Sequence, residues 1–131
     1  LSRIKTIFDN NLKNKKILIM GTSYKENVGD LRSSPSLEFI HRCIKENANI
    51  YWYDPYIKNI SIQKATKLEK IKSFNSFDIV IFAVKHEKFQ SINFLNKNFK
   101  NTIIFDANYI LNHKQINQII KNKIKFESIG R

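Results

Sequence analysis

The chain has 131 residues, 42% of them hydrophobic and 26% charged, with a formal net charge of +12. That is enough chain for one domain with a single core of two or three layers, while no uninterrupted apolar run approaches the ~20 residues of a membrane span. The lysines are spread over nearly every predicted element among many Asn and Ile residues, so the charge predicts a merely solvated basic surface ahead of charge-driven nucleic-acid binding, and attraction of an anionic small molecule is compatible with either.

The N-terminus, Leu1-Ser2-Arg3-Ile4-Lys5, has no apolar signal core and does not begin with Met, so a fragment or excised domain is expected. Over residues 2–13, Ile4, Ile7, Phe8 and Leu12 form a helical stripe. This helix is either the tail of a longer one from an upstream domain or a simple packing helix. Ile17, Leu18, Ile19 and Met20 form a continuous apolar run, the mark of a strand covered on both faces of a parallel sheet. A polar loop over residues 22–32 follows. Ser34-Pro35 then gives a helix start, a Ser N-cap with Pro at the first helical position. Leu37, Ile40, Cys43 and Ile44 mark the buried face of that helix, which ends near Asn47. Residues 49–53 are the second strand, stopped by Asp54-Pro55.

Between residues 56 and 77 the pattern predicts a short irregular helix around Ile62, Ala65, Leu68 and Ile71, then a short extended piece. Residues 78–84 are the clearest strand, β-branched and aromatic, with Lys85-His86-Glu87 directly at its end. Phe89, Ile92, Phe94 and Leu95 indicate a short helix or two turns. Residues 102–106 are a fourth strand, ending in Asp106-Ala107-Asn108. Ile116, Ile119 and Ile120 mark a last helix, and residues 124–126 a final strand or extended tail. The alternation predicts an α/β fold: a three-layer, Rossmann-like parallel sheet of about five strands with helices on both faces. Right-handed crossovers place the 22–32 loop, Asp54, His86 and Asp106–Asn108 on one edge.

A dinucleotide fingerprint needs glycines that let a helix N-terminus approach a pyrophosphate. Only Gly21 sits in the expected place, Ser23 and Lys25-Glu26 replace the others, and the loop is too long. A tight NAD site on this unit is not expected. What the loop offers is Lys25, Arg32, serines before a helix N-terminus and a flat aromatic, Tyr24, together suited to an anion with a sugar or base. Asp30 and Arg32 can equally form an ion pair that fixes the loop. His86 is the only histidine at a strand end, but it has no partnered nucleophile in the sequence, so loop shaping or capping is expected before catalysis. His41 and His113 fall on helices and are expected to be solvated. Cys43, in mid-helix without a matched base, reads as a small core residue. As the sole cysteine it excludes an internal disulfide and fits a reducing cytoplasm. No zinc-type spacing and no Gly-x-Ser-x-Gly elbow occurs.

Gly21-Thr22-Ser23-Tyr24-Lys25, the polar stretch to Asp30-Leu31-Arg32, and Ser34-Pro35 resemble the signature of the C-terminal domain of the UDP-glucose/GDP-mannose dehydrogenase family. The resemblance continues through Tyr53-Asp54-Pro55, Val80 to His86, Phe105-Asp106 and Ile129-Gly130-Arg131. It implies that residues 15–131 are a nucleotide-sugar-binding C-terminal domain and that residues 1–14 end a connecting or central helix. Members of the family oxidise the C6 alcohol of a nucleotide sugar to a carboxylate with two NAD, held by an N-terminal Rossmann domain. The catalytic cysteine precedes the central dimer helix, and Cys43 does not match it. The resemblance thus implies a homodimeric, cytoplasmic parent, a UDP-sugar as ligand, no membrane or nucleic-acid partner, and a fragment inactive alone. An assembly module without substrate binding is the alternative.

By the resemblance, Tyr24 and Lys25 match the pair that contacts the UDP-sugar, and Asp30 and Arg32 match an Asp-x-Arg element that orders the loop as readily as it binds. Two departures stand out. Ala107-Asn108 replaces the usual Gly-Arg, removing a cation that helps hold substrate, and Val84-Lys85 replaces a Thr-acidic pair. The expected substrate-binding set is Tyr24, Lys25, Arg32 and Asn108, with Gly21, Asp30 and Ser34 ordering the loop, and with no catalytic residue or metal ligand.

Overall fold

A computed structural model describes residues 1–23, 34–58, 60–95, 99 and 101–129. Its sheet contains β1 (Lys16–Met20), β2 (Asn49–Tyr53), β3 (Ala65–Lys67), β4 (Ile79–Phe82), β5 (Ile103–Asp106) and β6 (Lys125–Ser128). The helices are α1 (Ser2–Ile7), α2 (Pro35–Lys45) and α3 (His113–Lys121), with a 3-10 turn over Glu87–Ser91. The strands lie in the order β3-β2-β1-β4-β5-β6 and every pair is parallel. This is the doubly wound order, in which the chain reverses its direction of travel across the sheet between β1 and β4.

The central strands explain the architecture. All of β4 and all of β1 after Lys16 are buried, and alternate side chains leave on opposite faces. Ile17, Ile19, Ile79 and Ile81 join Ile40 and Cys43 of α2 and Trp52 in one core layer. Leu18, Met20, Val80 and Phe82 join Ile119 of α3 and the cluster Phe74, Phe89, Phe94 and Phe99 in the other. Each such side chain contributes about 1.5–3 kcal/mol, against about 1 kcal/mol for a helix cap. The apolar runs, not the caps, therefore fix where the sheet forms.

Three local expectations change. The first helix stops at Ile7, because Asp9 and Asn10 turn into the left-handed region at φ 55° and 62°, conformations that Asp and Asn tolerate. Leu12 is buried all the same. No helix forms between residues 56 and 77 among those described. Instead Ala65–Lys67 pairs with the open edge of β2, and the Leu68 N–H donates to the Trp52 carbonyl at 2.8 Å. That edge strand makes six strands where the pattern indicated about five. The strand expected over residues 78–84, β4, closes at Phe82 rather than Val84, as the chain bends and His86 N–H donates to the Val84 carbonyl at 2.9 Å. His41 and His113 are exposed, in line with their helical placement.

Cys43 sits fully buried in the α2 face. Burial pushes its thiol up to about 12, the N-terminal charge offsets a little of this, and Glu46 adds to it. The native thiol is therefore expected to react with an aromatic disulfide reagent at neutral pH roughly a thousandfold more slowly than in denaturant. Stopped-flow absorbance measures this, and native labelling at the denatured rate would contradict the burial.

Candidate functional site

Register places the strand ends side by side: Met20 pairs with both Tyr53 and Phe82, and Phe82 with Asp106. The turns that follow each strand, beginning at Gly21, Asp54, Ala83 and Ala107, thus share the carboxyl edge, where open α/β sheets bind ligands. Gly21 makes the edge compact. Its φ is +98°, and a Cβ there would lie 2.7 Å from Val84 Cβ and 3.0 Å from Val84 N. Any side chain would force the β1 turn off the β4 turn.

That close approach lets Asp54, at the end of β2, reach both turns. Asp54 Oδ2 accepts from Thr22 N at 2.8 Å and Ser23 N at 3.0 Å, and lies 2.9 Å from His86 Nε2. Asp54 Oδ1 accepts from Tyr56 N at 2.9 Å. His86 Nε2 is also 3.1 Å from Ser23 Oγ. The Asp54 and His86 side chains are both fully buried. Burial alone would raise the Asp54 carboxyl, but hydrogen bonds from His86, Thr22 and Tyr56 outweigh it and hold the group below its ordinary value. The rings of Tyr56 and Phe89 flank the imidazole at 4.6 and 5.3 Å.

The same turn is tied to α2. Ser34 Oγ donates to the Thr22 carbonyl at 2.5 Å and accepts from Leu37 N at 3.2 Å, capping the helix, with Pro35 at its start. Thr22 Oγ1 is buried without a hydrogen-bond partner among the described residues. On β5, Asp106 is consumed by its own turn: Oδ1 accepts from Ile110 N at 2.8 Å and Asn108 N at 3.2 Å, and Oδ2 from Leu111 N at 3.0 Å.

Beside this framework lies a cavity of about 620 Å³, bounded by Arg3 of α1, Ser36 and Phe39 of α2, and Ser23, Lys85 and Asn108 of the strand-end turns. Its volume is that of a small-molecule site. Lys85 is exposed and has no acidic partner among the described residues. No group of three or more His, Cys, Asp or Glu suited to a metal occurs among the described residues.

Of the residues singled out from sequence, the structure brings Gly21, Ser34 and Asn108 to this edge, with Asn108 exposed on the cavity rim. Tyr24, Lys25, Asp30 and Arg32 lie outside the described residues. Sequence reasoning placed Ser23, Asp54 and His86 on one edge but did not pair them with one another. His86 looked unpartnered because its partner is 32 residues away, inside a Tyr-Asp-Pro stretch that reads as a strand stop. The signal was their shared place at strand ends.

Among the described residues of the β1 turn, the backbone N–H groups of Thr22 and Ser23, which follow Gly21 where a pyrophosphate would need donors, serve Asp54 Oδ2.

The chain belongs to the UDP-glucose/GDP-mannose dehydrogenase family, whose UDP binding domain matches residues 18–113. It is 32% identical over 108 residues to the UDP-N-acetyl-D-mannosamine dehydrogenase of Methanococcus vannielii, covering 79% of this chain and 25% of that protein. It is 25% identical over 131 residues to the UDP-glucose 6-dehydrogenase of Rickettsia prowazekii, covering 91% and 29%. The chain thus spans between a quarter and a third of these relatives. The same fold occurs in an NDP-N-acetyl-D-galactosaminuronic acid dehydrogenase of Methanosarcina mazei Go1, with TM-score 0.75 and 16% identity, covering 99% of this chain and 27% of that one. It occurs again in the UDP-D-ManNAc dehydrogenase of Pyrococcus horikoshii, with TM-score 0.69 and 23% identity, covering 99% and 29%.

Gly21→Ala is expected to cost about 2–4 kcal/mol, combining the left-handed backbone with overpacking against Val84. Urea denaturation measures it, and a loss under about 0.5 kcal/mol would show that the turn relaxes freely. Asp54→Asn is expected to cost about 2–4 kcal/mol at neutral pH. Because the folded carboxyl is held below its ordinary value, its stabilisation is complete above about pH 5 and is lost as pH falls through the lower folded value. The gap between the wild type and Asp54→Asn should therefore narrow below about pH 4. A gap of constant size down to acid unfolding would refute the ionised carboxylate.

Proposed function

We propose that this chain is the nucleotide-sugar-binding C-terminal domain of an NAD-dependent nucleotide-sugar 6-dehydrogenase, not catalytic alone. The supporting observation is that the family's UDP binding domain matches residues 18–113, the span whose strand-end turns border a ligand-sized cavity. Two relatives carry UDP-sugars in their names, which favours a UDP-sugar here. In the parent reaction the C6 alcohol and one water become a carboxylate, while two NAD⁺ become two NADH and three protons leave. NAD would supply hydride acceptance in the upstream domain; in keeping with that, the Thr22 and Ser23 N–H groups of the β1 turn are engaged by Asp54.

On this reading Tyr24 packs on the nucleoside, Lys25 and Arg32 meet the diphosphate, and Asn108 lines the sugar side of the cavity. Gly21, Asp30 and Ser34 order the loop. Residues 1–14 join the domain to an upstream helix, and the parent works as a homodimer in the cytoplasm. Neither a membrane nor a specific nucleic acid is a partner. Asn108 in place of the family's Arg favours one other reading, a Rossmann-like assembly module that has lost substrate binding.

Titration calorimetry of the chain with UDP, UDP-glucose, UDP-N-acetylglucosamine and GDP-mannose separates the two. Binding of at least one, weakened about 10–100-fold in Lys25→Ala, is expected from the loss of one charge-assisted contact. No binding of any ligand at millimolar concentration would leave the assembly module.

A further inference from the structure

The Asp54 carboxylate sits where the doubly wound fold ordinarily receives something from outside. In a dinucleotide site the turn after β1 aims backbone N–H groups at a phosphate, and the acidic residue at the end of β2 points outward to a ribose. Here the β2 acid is turned inward. Its Oδ2 lies 2.8 and 3.0 Å from the Thr22 and Ser23 nitrogens and 2.9 Å from His86 Nε2. Successive backbone N–H groups of this kind form an anion nest, and the imidazole adds a third donor from the β4 turn.

We infer that the β1 turn is an anion site whose occupant is the chain's own Asp54 carboxylate. This built-in anion positions the Gly21–Ser23 turn against His86 and excludes phosphate from the nest. Asp54 is a positioning residue: it acts through the backbone and the imidazole. Four observations agree. The Asp54 side chain is fully buried. Each of its oxygens accepts from at least one backbone N–H, so both are satisfied without solvent. Its carboxyl is held below its ordinary value despite burial. Ser34 Oγ fixes the carbonyl of Thr22, the same residue whose N–H serves Asp54, so the nest is held from both sides of one residue. The inference does not depend on the nucleotide-sugar reading, since a UDP that binds or fails to bind leaves the nest's occupant unchanged.

Substitution Asp54→Ala removes a formate-sized group and leaves the three donors facing a cavity shaped for one. The variant should lose roughly 10 °C in Tm. Sodium formate at about 0.2 M should restore roughly 3–5 °C relative to sodium chloride of equal ionic strength, as a ligand of the folded state alone would. The wild type should show no difference between the two salts. Formate acting equally on wild type and variant, or on neither, would overturn the inference.

Should Asp54→Ala not fold, Asp54→Asn supplies the readout by ¹⁵N NMR. The Thr22 and Ser23 amide protons should move upfield and the His86 Nε2 resonance should shift, because an amide cannot accept from all three donors with a full charge. Unchanged Thr22, Ser23 and His86 signals would overturn it equally. A role in packing alone would move stability without these signatures.

Discussion

Everything at the carboxyl edge depends on one buried charge. An ion taken out of water costs several kcal/mol even after relaxation, and Asp54 is tolerated because donors from three directions converge on it. Thr22 and Ser23 come from the turn after β1, Tyr56 from its own turn, and His86 from the turn after β4. Each charge-assisted bond is worth about 1.5–3 kcal/mol, enough together to offset the desolvation. The carboxylate therefore binds three consecutive neighbours of the sheet, β2, β1 and β4, at their ends, just beyond the last ladder hydrogen bonds from Gly21 N to the Tyr53 carbonyl and from Ala83 N to the Met20 carbonyl.

The sheet makes that convergence available. Parallel pairing aligns Tyr53, Met20, Phe82 and Asp106 in one row, and the apolar runs of β1 and β4 anchor the row in two core layers. Gly21 then leaves room for the β1 turn to approach Val84 of the β4 turn, where a Cβ would clash. Asp106 repeats the device locally, with its oxygens accepting from Asn108, Ile110 and Leu111. Two acids at the ends of strands are thus internal, and neither opposes an anion in the cavity.

What was legible in the sequence followed from local physics. Continuous apolar runs gave β1 and β4, Ser34-Pro35 gave the start of α2, and the alternation of periods gave the parallel sheet. The edge strand β3 was hidden because Ala65–Lys67 has no strand character of its own and forms only by pairing with β2. The early end of α1 was hidden because Ile7, Phe8 and Leu12 stay apolar through a left-handed turn. Asp54 and His86 were placed on one edge from sequence, but their pairing was hidden for a third reason. It is a contact between residues distant in the chain, and neither carries a spacing motif. Gly21 was legible as a turn residue, but its contact with Val84 was not.

The occupied nest changes what a diphosphate would need from this domain. In a dinucleotide site, backbone N–H groups and a helix dipole hold the phosphates, and side-chain cations are secondary. Here the Thr22 and Ser23 donors serve Asp54, so on the proposed reading side-chain cations take a larger share in holding the diphosphate. The chain supplies Lys25 and Arg32 in the loop and Lys85 on the cavity rim, while position 108 is the neutral Asn108. Lysines meet phosphate as point charges on flexible stems, whereas arginine offers a planar fork. Two arginines are available, Arg32 in the loop and Arg3 of α1 on the cavity wall. The net charge of +12 adds long-range attraction for an anion and no selectivity. On the proposed reading, the cavity wall that includes Ser36, Phe39 and Asn108 contributes shape to that selectivity.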